Sequence, residues 1–223
     1  MHTNSKILAG AALATAFLAF SPTQAQAVEM TLLGDYCGGS KDATVFCSQL
    51  GNRYDVSGGA VVDPAEDIQN RAATPGSDTD DGAAADQVLS YNVVSVEGDP
   101  PGATTPIDVT GLAGTFEFYW GSVDSFNLVE FYLDGEFVSD FTGDNVALTA
   151  GKTLEDKNRQ GSYDFDQYVV FTGGFDSARL SIVEGEGTGV AFEVATVPEP
   201  AAIALLGLGL LSLGLIRIRT RRA

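Results

Sequence analysis

The stretch Asn127–Phe141, NLVEFYLDGEFVSDF, contains two runs rich in Leu, Val, Phe and Tyr, separated by Asp134 and Gly135. Short runs rich in β-branched and aromatic residues that are bounded by turn residues are typical of strands. A two-residue type I′ turn needs positive φ at both central positions, and Asp and Gly tolerate that conformation. The stretch therefore predicts a β-hairpin with strands over Asn127–Leu133 and Glu136–Phe141.

Runs of the same kind lie on both sides of this hairpin. Short strands separated by frequent turns, without a long amphipathic helix, favour an all-β fold, a β-sandwich with short irregular insertions. Thirteen Phe, seven Tyr and one Trp are enough to fill the space between two sheets. The further predicted strands are Val88–Val96, Thr115–Trp120, Gln167–Thr172, Ala178–Val183 and Gly189–Ala195.

The residues outside these runs carry weaker signals. Thr44–Phe46 predicts one short strand. The sequence Asp-Pro-Ala-Glu at 63–66 predicts a helix from Pro64 to about Ala72, because it supplies an N-cap, a proline at the first position and a capping-box glutamate. The rest of Ser57–Gln87 is predicted to be a solvated loop, and Gly98–Thr110, rich in Pro and Gly, a connection between strands.

The N-terminal residues have the three zones of a secretory signal peptide, residues 1–27. Lys6 lies in a short polar start, an apolar stretch covers Ile7–Phe20, and small residues surround the end of the segment, in Ala25-Gln26-Ala27. This pattern predicts export by the Sec machinery and cleavage by signal peptidase between Ala27 and Val28. An uncleaved membrane helix is the alternative.

Cysteine and histidine usage narrows the chemistry. Cys37 and Cys47 are the only cysteines, and both lie in the region predicted to be exported, which favours one disulfide. A single pair with C-x9-C spacing is not a zinc motif. The only histidine, His2, lies in the predicted signal peptide. We therefore expect no His-based triad, no zinc-protease helix and no enzymatic activity.

The region 28–196 is strongly acidic. It contains 29 of the 30 acidic residues and seven of the 12 Lys and Arg residues, which leaves a net charge of −22. Such a charge repels nucleic acid phosphates, and so we expect no nucleic acid partner. It favours cations, although many secreted proteins are acidic without a specific partner. Scattered carboxylates predict calcium as a candidate ligand, with candidate residues Asp35, Asp164, Asp166, Asp176 and Glu184.

The segment 197–223 reads VPEPAAIALLGLGLLSLGLIRIRTRRA. Its Pro198-Glu199-Pro200 tripeptide precedes an uncharged run of sixteen residues, Ala201–Ile216, which as a helix spans about 24 Å. That length is short for a bilayer, so basic side chains must reach the headgroups and mark the cytoplasmic end. The segment predicts a weakly held transmembrane helix. The basic side chains are Arg217, Arg219, Arg221 and Arg222.

This order of tripeptide, apolar run and arginines resembles the PEP-CTERM sorting signal of exported bacterial proteins. The alternatives are an ordinary single-pass anchor and a buried apolar helix, although a core helix would not end in four arginines. The resemblance implies that an exosortase, a membrane-embedded thiol transpeptidase, acts near Pro198-Glu199-Pro200. The chain is then divided into a signal peptide, 1–27, an acidic ectodomain, 28–196, and a sorting signal, 197–223.

A second resemblance covers Phe118–Gly143, FYWGSVDSFNLVEFYLDGEFVSDFTG, together with the later stretches QYVVFTGGFDSARLSI and AFEV. It is similar to exosortase-dependent surface proteins with a Trp-Gly-Ser-x-Asp-x-Tyr/Phe-Asn segment, which implies a jelly-roll-like sandwich. In one hypothesis, a sugar ring stacks on Trp120 and its hydroxyls form hydrogen bonds with Asp124 and Asn127. The alternative makes Trp120 a core residue and the two polar residues turn formers.

Three functions from different classes are consistent with these patterns. The first is a structural or adhesive surface protein in the extracellular polysaccharide of a biofilm. The second is a surface-displayed carbohydrate-binding module, which needs an exposed aromatic side chain such as Trp120 or Tyr119. The third is a glycosidase or lyase that uses two carboxylates and no histidine. The first is the function that we expect.

Overall fold

A computed structural model describes residues 26–42, 44–68, 72–77, 84–96, 100–152, 165–183 and 191–199. Strands dominate this part of the chain, and its one α-helix is short. The elements are β1 (Glu29–Gly34), β2 (Asp55–Ser57), β3 (Ala60–Val62), β4 (Tyr91–Ser95), β5 (Ile107–Thr110), β6 (Thr115–Gly121), β7 (Asn127–Leu133), β8 (Glu136–Thr142), α1 (Gly143–Thr149), β9 (Gln167–Thr172), β10 (Ser177–Ile182) and β11 (Ala191–Ala195).

The strands form two antiparallel sheets. The order is β1-β9-β6-β11-β4-β3 in the six-stranded sheet and β2-β5-β10-β7-β8 in the five-stranded sheet. Most neighbouring strands are distant in sequence, and so the chain passes repeatedly from one sheet to the other. The predicted all-β class is confirmed, while the jelly-roll-like sandwich, the finer description, stays a prediction.

The hairpin predicted from Asp134-Gly135 is confirmed. These residues have φ angles of 53° and 81°, as a type I′ turn requires. The two strands pair from Leu133 opposite Glu136 to Leu128 opposite Thr142, with one irregularity between Phe131 and Tyr132. The hairpin then forms the edge of the five-stranded sheet.

Side chains from both sheets meet in one hydrophobic cluster. Phe118 of β6 lies at its centre, with its ring 6.0 Å from that of Phe171 and 5.6 Å from that of Trp120. Phe131 of β7, from the other sheet, lies 4.9 Å from Phe171. Burial of apolar surface contributes roughly 25 cal/mol per Å², so this aromatic cluster is the main source of stability.

A second cluster covers the other face of the six-stranded sheet. It joins Tyr91, Tyr119 and Tyr168 of the sheet to residues of the chain before β4 that lie outside the strands, among them Ala72 and Ala84. The middle of the six-stranded sheet is therefore covered on both faces, and β4 and β11 are buried at every position. We call the segments 35–42, 44–48, 63–68, 72–77 and 84–90 the cover.

The structure of the cover and of β3 differs from several predictions. Ser57–Gln87 is not simply a solvated loop, because it contains β3 and buries Ala72 and Thr74. Thr44–Phe46 is not a strand; Cys47 and Ser48 instead form isolated bridges to Val88 and Thr196. These segments are ordered by pairing with distant residues, which local periodicity does not reveal.

The predicted helix from Pro64 to about Ala72 is wrong for the residues that the structure describes there. Ile68 and Ala72 form an antiparallel bridge, and the Ala65 N–H donates to the Leu89 carbonyl at 2.8 Å. These long-range and bridging bonds use the backbone groups that a helix would need. The predicted connection Gly98–Thr110 likewise contains a strand, β5.

The predicted disulfide between Cys37 and Cys47 is confirmed, with Cα atoms 5.7 Å apart. It joins a short 3₁₀ turn at Cys37–Gly39 to the bridge at Cys47 within the cover. Closing a loop of ten residues contributes roughly 2 to 3 kcal/mol on the chain-entropy model.

The two predicted membrane-associated segments fall largely outside the described residues. These are residues 1–25 of the signal peptide and the transmembrane run Ala201–Ile216. Within the part of the chain that the structure describes, no helix has the length and apolar character needed to cross a bilayer.

Candidate functional site

The C-terminal end of the described chain leaves the fold from a fixed point. Strand β11 lies between β6 and β4 and is followed by Thr196, which is fully buried. Thr196 and Ser48 exchange two backbone hydrogen bonds of 2.8 Å. The Thr196 hydroxyl also donates to the Glu117 carbonyl at 3.1 Å. These bonds hold the backbone in place up to the first residue of the predicted sorting signal.

The next residue is held less tightly. The Arg53 guanidinium donates to the Val197 carbonyl at 3.4 Å and forms an ion pair with Glu117. A Cβ on Gly38 would lie 3.0 Å from the Val197 side chain, so the absence of a side chain there makes room for Val197. Arg53 and Gly38 thus direct the chain away from the sheet.

The tripeptide begins in a shallow pocket at this point. Pro198 is half-buried and Glu199 is exposed, whereas Pro200 and the predicted anchor, from Ala201 and Ile216 to Arg217, Arg219, Arg221 and Arg222, lie outside the described residues. We call the surface around the tripeptide the exit surface. It consists of Leu33, Val45, Arg53, Glu117 and Tyr168.

The predicted signal peptidase site lies next to β1. The Gly174 N–H donates to the Gln26 carbonyl at 2.9 Å, and Ala27 is exposed. Val28 is half-buried and packs against the main hydrophobic cluster. A chain that begins at Val28 therefore retains the apolar residue that packs in the fold.

Trp120, Asp124 and Asn127 are all buried. The Trp120 ring lies 4.7 Å from that of Phe192, and its Nε1–H donates to the Asn127 Oδ1 at 3.0 Å. The same oxygen accepts from the Asp124 N–H at 2.9 Å, and so Asn127 ties together the loop between β6 and β7. Tyr119, the other proposed sugar platform, is also buried. None of these aromatic rings has a face open to a surface ligand.

Two buried carboxylates bind the cover through its backbone. Glu193 of β11 accepts from the Ala73 N–H at 3.0 Å. Asp166 accepts from the Gly76 N–H at 2.8 Å and from the Ser122 N–H at 2.6 Å. The segment 72–77 is therefore fixed to the six-stranded sheet by carboxylates that belong to the sheet and its border.

The glycine that follows Trp120 has a packing role at the same place. A Cβ on Gly121 would lie 3.0 Å from Pro75, a distance at which one of the two must move. Gly121 therefore allows the cover to lie directly on β6. The sequence pattern drew attention to this glycine but did not reveal the segment that it contacts.

The environment of Glu193 disfavours its charged form. Burial raises its pKa well above the usual value, and the neighbouring charges of Asp124 and Asp166 raise it further. The hydrogen bond from Ala73 acts in the opposite direction without overcoming these effects. Glu193 is a titratable group at the contact between the cover and the sheet that the sequence patterns did not single out.

The calcium candidates do not gather at one place. Asp176 accepts from the Asp134 N–H at 2.9 Å and from the Ser177 hydroxyl at 2.8 Å, at the hairpin turn. Asp166 is engaged with the cover, and Asp164 and Glu184 lie outside the described residues. Among the residues described by the structure, including Asp35, no group of three or more metal-ligating side chains forms a metal site.

The outer face of the five-stranded sheet carries exposed polar and aromatic side chains. Arg179 of β10 makes two hydrogen bonds to Asp108 of β5, of 2.7 and 3.3 Å. Tyr132 lines the same shallow hollow, and its ring lies 6.1 Å from that of Phe137, which is 56% exposed. Alternation in β10 marks Arg179 as outward-facing, but only the register brings it close to Asp108 and Tyr132.

Comparison with known proteins identifies one segment of the chain. The family model of the PEP-CTERM protein-sorting motif matches residues 196–222. No curated protein and no solved structure matches the chain. The match begins at Thr196, the buried residue that directly follows β11.

Proposed function

We propose that this protein, which carries a PEP-CTERM protein-sorting motif at residues 196–222, is a structural or adhesive component of the extracellular polysaccharide matrix. The motif implies export and exosortase-dependent sorting to the cell surface. It is the single observation that carries the proposal, because it assigns the destination and the processing enzyme. The biofilm matrix is the surface environment that we propose for the folded domain.

The properties of the ectodomain support this role. Its large aromatic core and its disulfide suit a domain that must persist outside the cell. Its net charge of −22, from 29 acidic and seven basic residues in 28–196, favours solubility in a hydrated matrix. A jelly-roll-like sandwich, in which the two sheets share the core, is the architecture that we propose.

We propose no catalytic role for the ectodomain. Residues 28–196 contain no histidine, and the buried carboxylates Glu193 and Asp166 accept backbone hydrogen bonds. A polysaccharide turnover that a single Asp-to-Asn or Glu-to-Gln substitution abolishes would contradict this proposal.

The proposed route has two processing steps. Signal peptidase removes residues 1–27 during Sec export, and exosortase then acts near Pro198-Glu199-Pro200. Replacing these three residues with alanine should leave export and folding intact, while the protein accumulates uncleaved in the inner membrane. A chain that ends at Val197 should instead be released as a soluble ectodomain.

Cell fractionation with mass spectrometry of the C-terminus distinguishes these outcomes. Normal trimming and surface display of the alanine variant would identify the tail as an ordinary anchor and contradict the proposed sorting route. The matrix role needs a separate measurement. The released ectodomain should bind isolated matrix polysaccharide by co-sedimentation, and the same protein unfolded by heat after reduction is the control.

A carbohydrate-binding module is the second candidate, and the outer face of the five-stranded sheet favours it. Exposed aromatic rings offer stacking surfaces, and the Arg179–Asp108 pair offers hydrogen bonds to hydroxyl groups. The variant Phe137→Ala/Tyr132→Ala should then lose glycan binding, whereas Phe46→Ala, which removes another exposed ring, should not. Equal binding by both variants would rule out this surface.

A further inference from the structure

Only a short piece of chain separates the fixed end of the domain from the apolar run. Thr196 is buried and held by three hydrogen bonds, and only residues 197–200 lie between it and Ala201. Five residue steps extend by at most about 17 Å. A membrane-embedded enzyme that reaches the tripeptide must therefore come close to the folded domain as well.

The surface that such an enzyme would meet is the exit surface. Leu33 is 49% exposed and lies at an irregularity in β1, where the pairing with β9 shifts between Leu32 and Gly34. An irregularity of this kind turns a side chain away from its usual direction. Leu33 lines the same shallow pocket as Pro198 and Glu199.

The charged part of the exit surface also touches the tail. Arg53 pairs with Glu117 and donates to the Val197 carbonyl, so it sets the direction in which the tripeptide leaves. An exposed apolar side chain beside polar groups, as Leu33 is beside Arg53 and Glu117, is a common composition of a protein contact. Arg53 is a positioning residue here, because it acts through Val197.

We propose that the exit surface is a contact surface for the exosortase, which binds the domain through Leu33 while the tripeptide enters its active site. The inference rests on the proposed function, namely that exosortase acts near Pro198-Glu199-Pro200. We assign the surface to this partner because the chain between Thr196 and Ala201 is too short to keep the enzyme away from the domain. The folded domain is then part of the substrate, and the sorting signal is not recognised by itself.

The test measures processing of the full-length chain in cells that contain the exosortase. Leu33→Asp should slow the loss of the C-terminal tail by about tenfold, a typical loss for a central contact residue. The matched control is Leu148→Asp, which changes a similarly exposed leucine on α1 and should leave the rate unchanged. Thermal unfolding and disulfide content of the exported domains establish that both variants fold.

A second variant removes the limit on how far the tripeptide can extend from the folded domain. An insert of roughly ten Gly and Ser residues between Val197 and Pro198 adds about 17 Å of average span, which lets the tripeptide reach the enzyme without the domain. In this background, Leu33→Asp should be processed as fast as the linker chain alone. Arg53→Met should slow processing at the native spacing and not with the linker.

Each other outcome has a definite meaning. Normal processing of Leu33→Asp at the native spacing would overturn the contact, and so would equal slowing with and without the linker, which indicates an export or folding defect. Weaker membrane retention of Leu33→Asp in cells that lack exosortase would assign the surface to lipid binding and overturn the proposal. Normal processing of the alanine tripeptide variant would refute the proposed function itself.

Discussion

The two sheets differ in what covers them. The six-stranded sheet packs on the main core with one face and on the cover with the other, so that β4 and β11 are buried throughout. The five-stranded sheet leaves its outer face to solvent, and β10 alternates between buried and more exposed positions. The covered sheet holds the sorting tail in place, and the open sheet presents polar and aromatic side chains. One sheet therefore fixes the start of the sorting motif, and the other exposes side chains to solvent.

The largest expected effect tests the core side of the covered sheet. Trp120→Ala should destabilise the domain by about 3 to 5 kcal/mol, because it removes a buried ring and leaves a cavity. Phe137→Ala, on the edge strand of the open sheet, should cost less than about 1 kcal/mol. Urea unfolding of the two released ectodomains measures the difference, and equal losses would mean that the sheets do not differ in this way.

The next effect tests the cover. Replacing Cys37 and Cys47 together with serine should destabilise the domain by about 2 to 3 kcal/mol. Hydrogen exchange should then speed up in residues 35–48 while the β7–β8 hairpin keeps its protection. Faster exchange in the hairpin as well would show that the cover and the open sheet unfold as one unit.

Glu193 gives a smaller effect that depends on pH. Its pKa is raised in the folded state, so its contribution to stability is complete below the unfolded-state pKa of about 4.3 and is lost as pH rises through the folded-state pKa. Glu193→Gln should therefore be about 1 to 2 kcal/mol more stable than the parent at pH 7. The two proteins should converge near pH 4.

Urea unfolding at several pH values measures the effect of Glu193. The exposed Glu136→Gln is the matched control and should follow the parent at every pH. A Glu193→Gln variant that is less stable than the parent at pH 7 would show that the carboxylate stabilises the contact with the cover in its charged form.

The smallest effect concerns the open sheet. Arg179→Ala should cost less than about 1 kcal/mol, because the Arg179–Asp108 pair is solvent-exposed and screened by salt. Repeating the measurement in high salt should reduce this cost further. A cost as large as that of Trp120→Ala would mean that the outer face is structural rather than a display surface.

Local patterns were sufficient for β7, β8 and β10 of the open sheet and for β4, β6, β9 and β11 of the covered sheet. The hairpin and β9 begin at the predicted residues because alternation and turn chemistry act between near neighbours. The strands β1, β2, β3 and β5 were missed. β2 and β3 have three residues each, and their hydrogen-bonding partners lie in distant parts of the chain.

The same limit applies to the candidate site. The tripeptide, the apolar run and the arginines follow one another in the sequence. Their order therefore predicts a sorting signal, and the family model matches this segment. The hydrogen bonds that fix Thr196 are made with Ser48 and Glu117, which are distant in sequence. Nothing near Thr196 in the chain indicates these partners.

The sequence by itself determined what depends on neighbouring residues or on counting: the Asp134-Gly135 hairpin, the Cys37–Cys47 pair and the sorting motif. Only the tertiary structure decided that Trp120, Asp124 and Asn127 are buried and that the tail leaves beside Leu33 and Arg53. The physical reason is that burial depends on which strands become neighbours in the sheets. That choice is made by packing between segments tens of residues apart, and no local pattern encodes it.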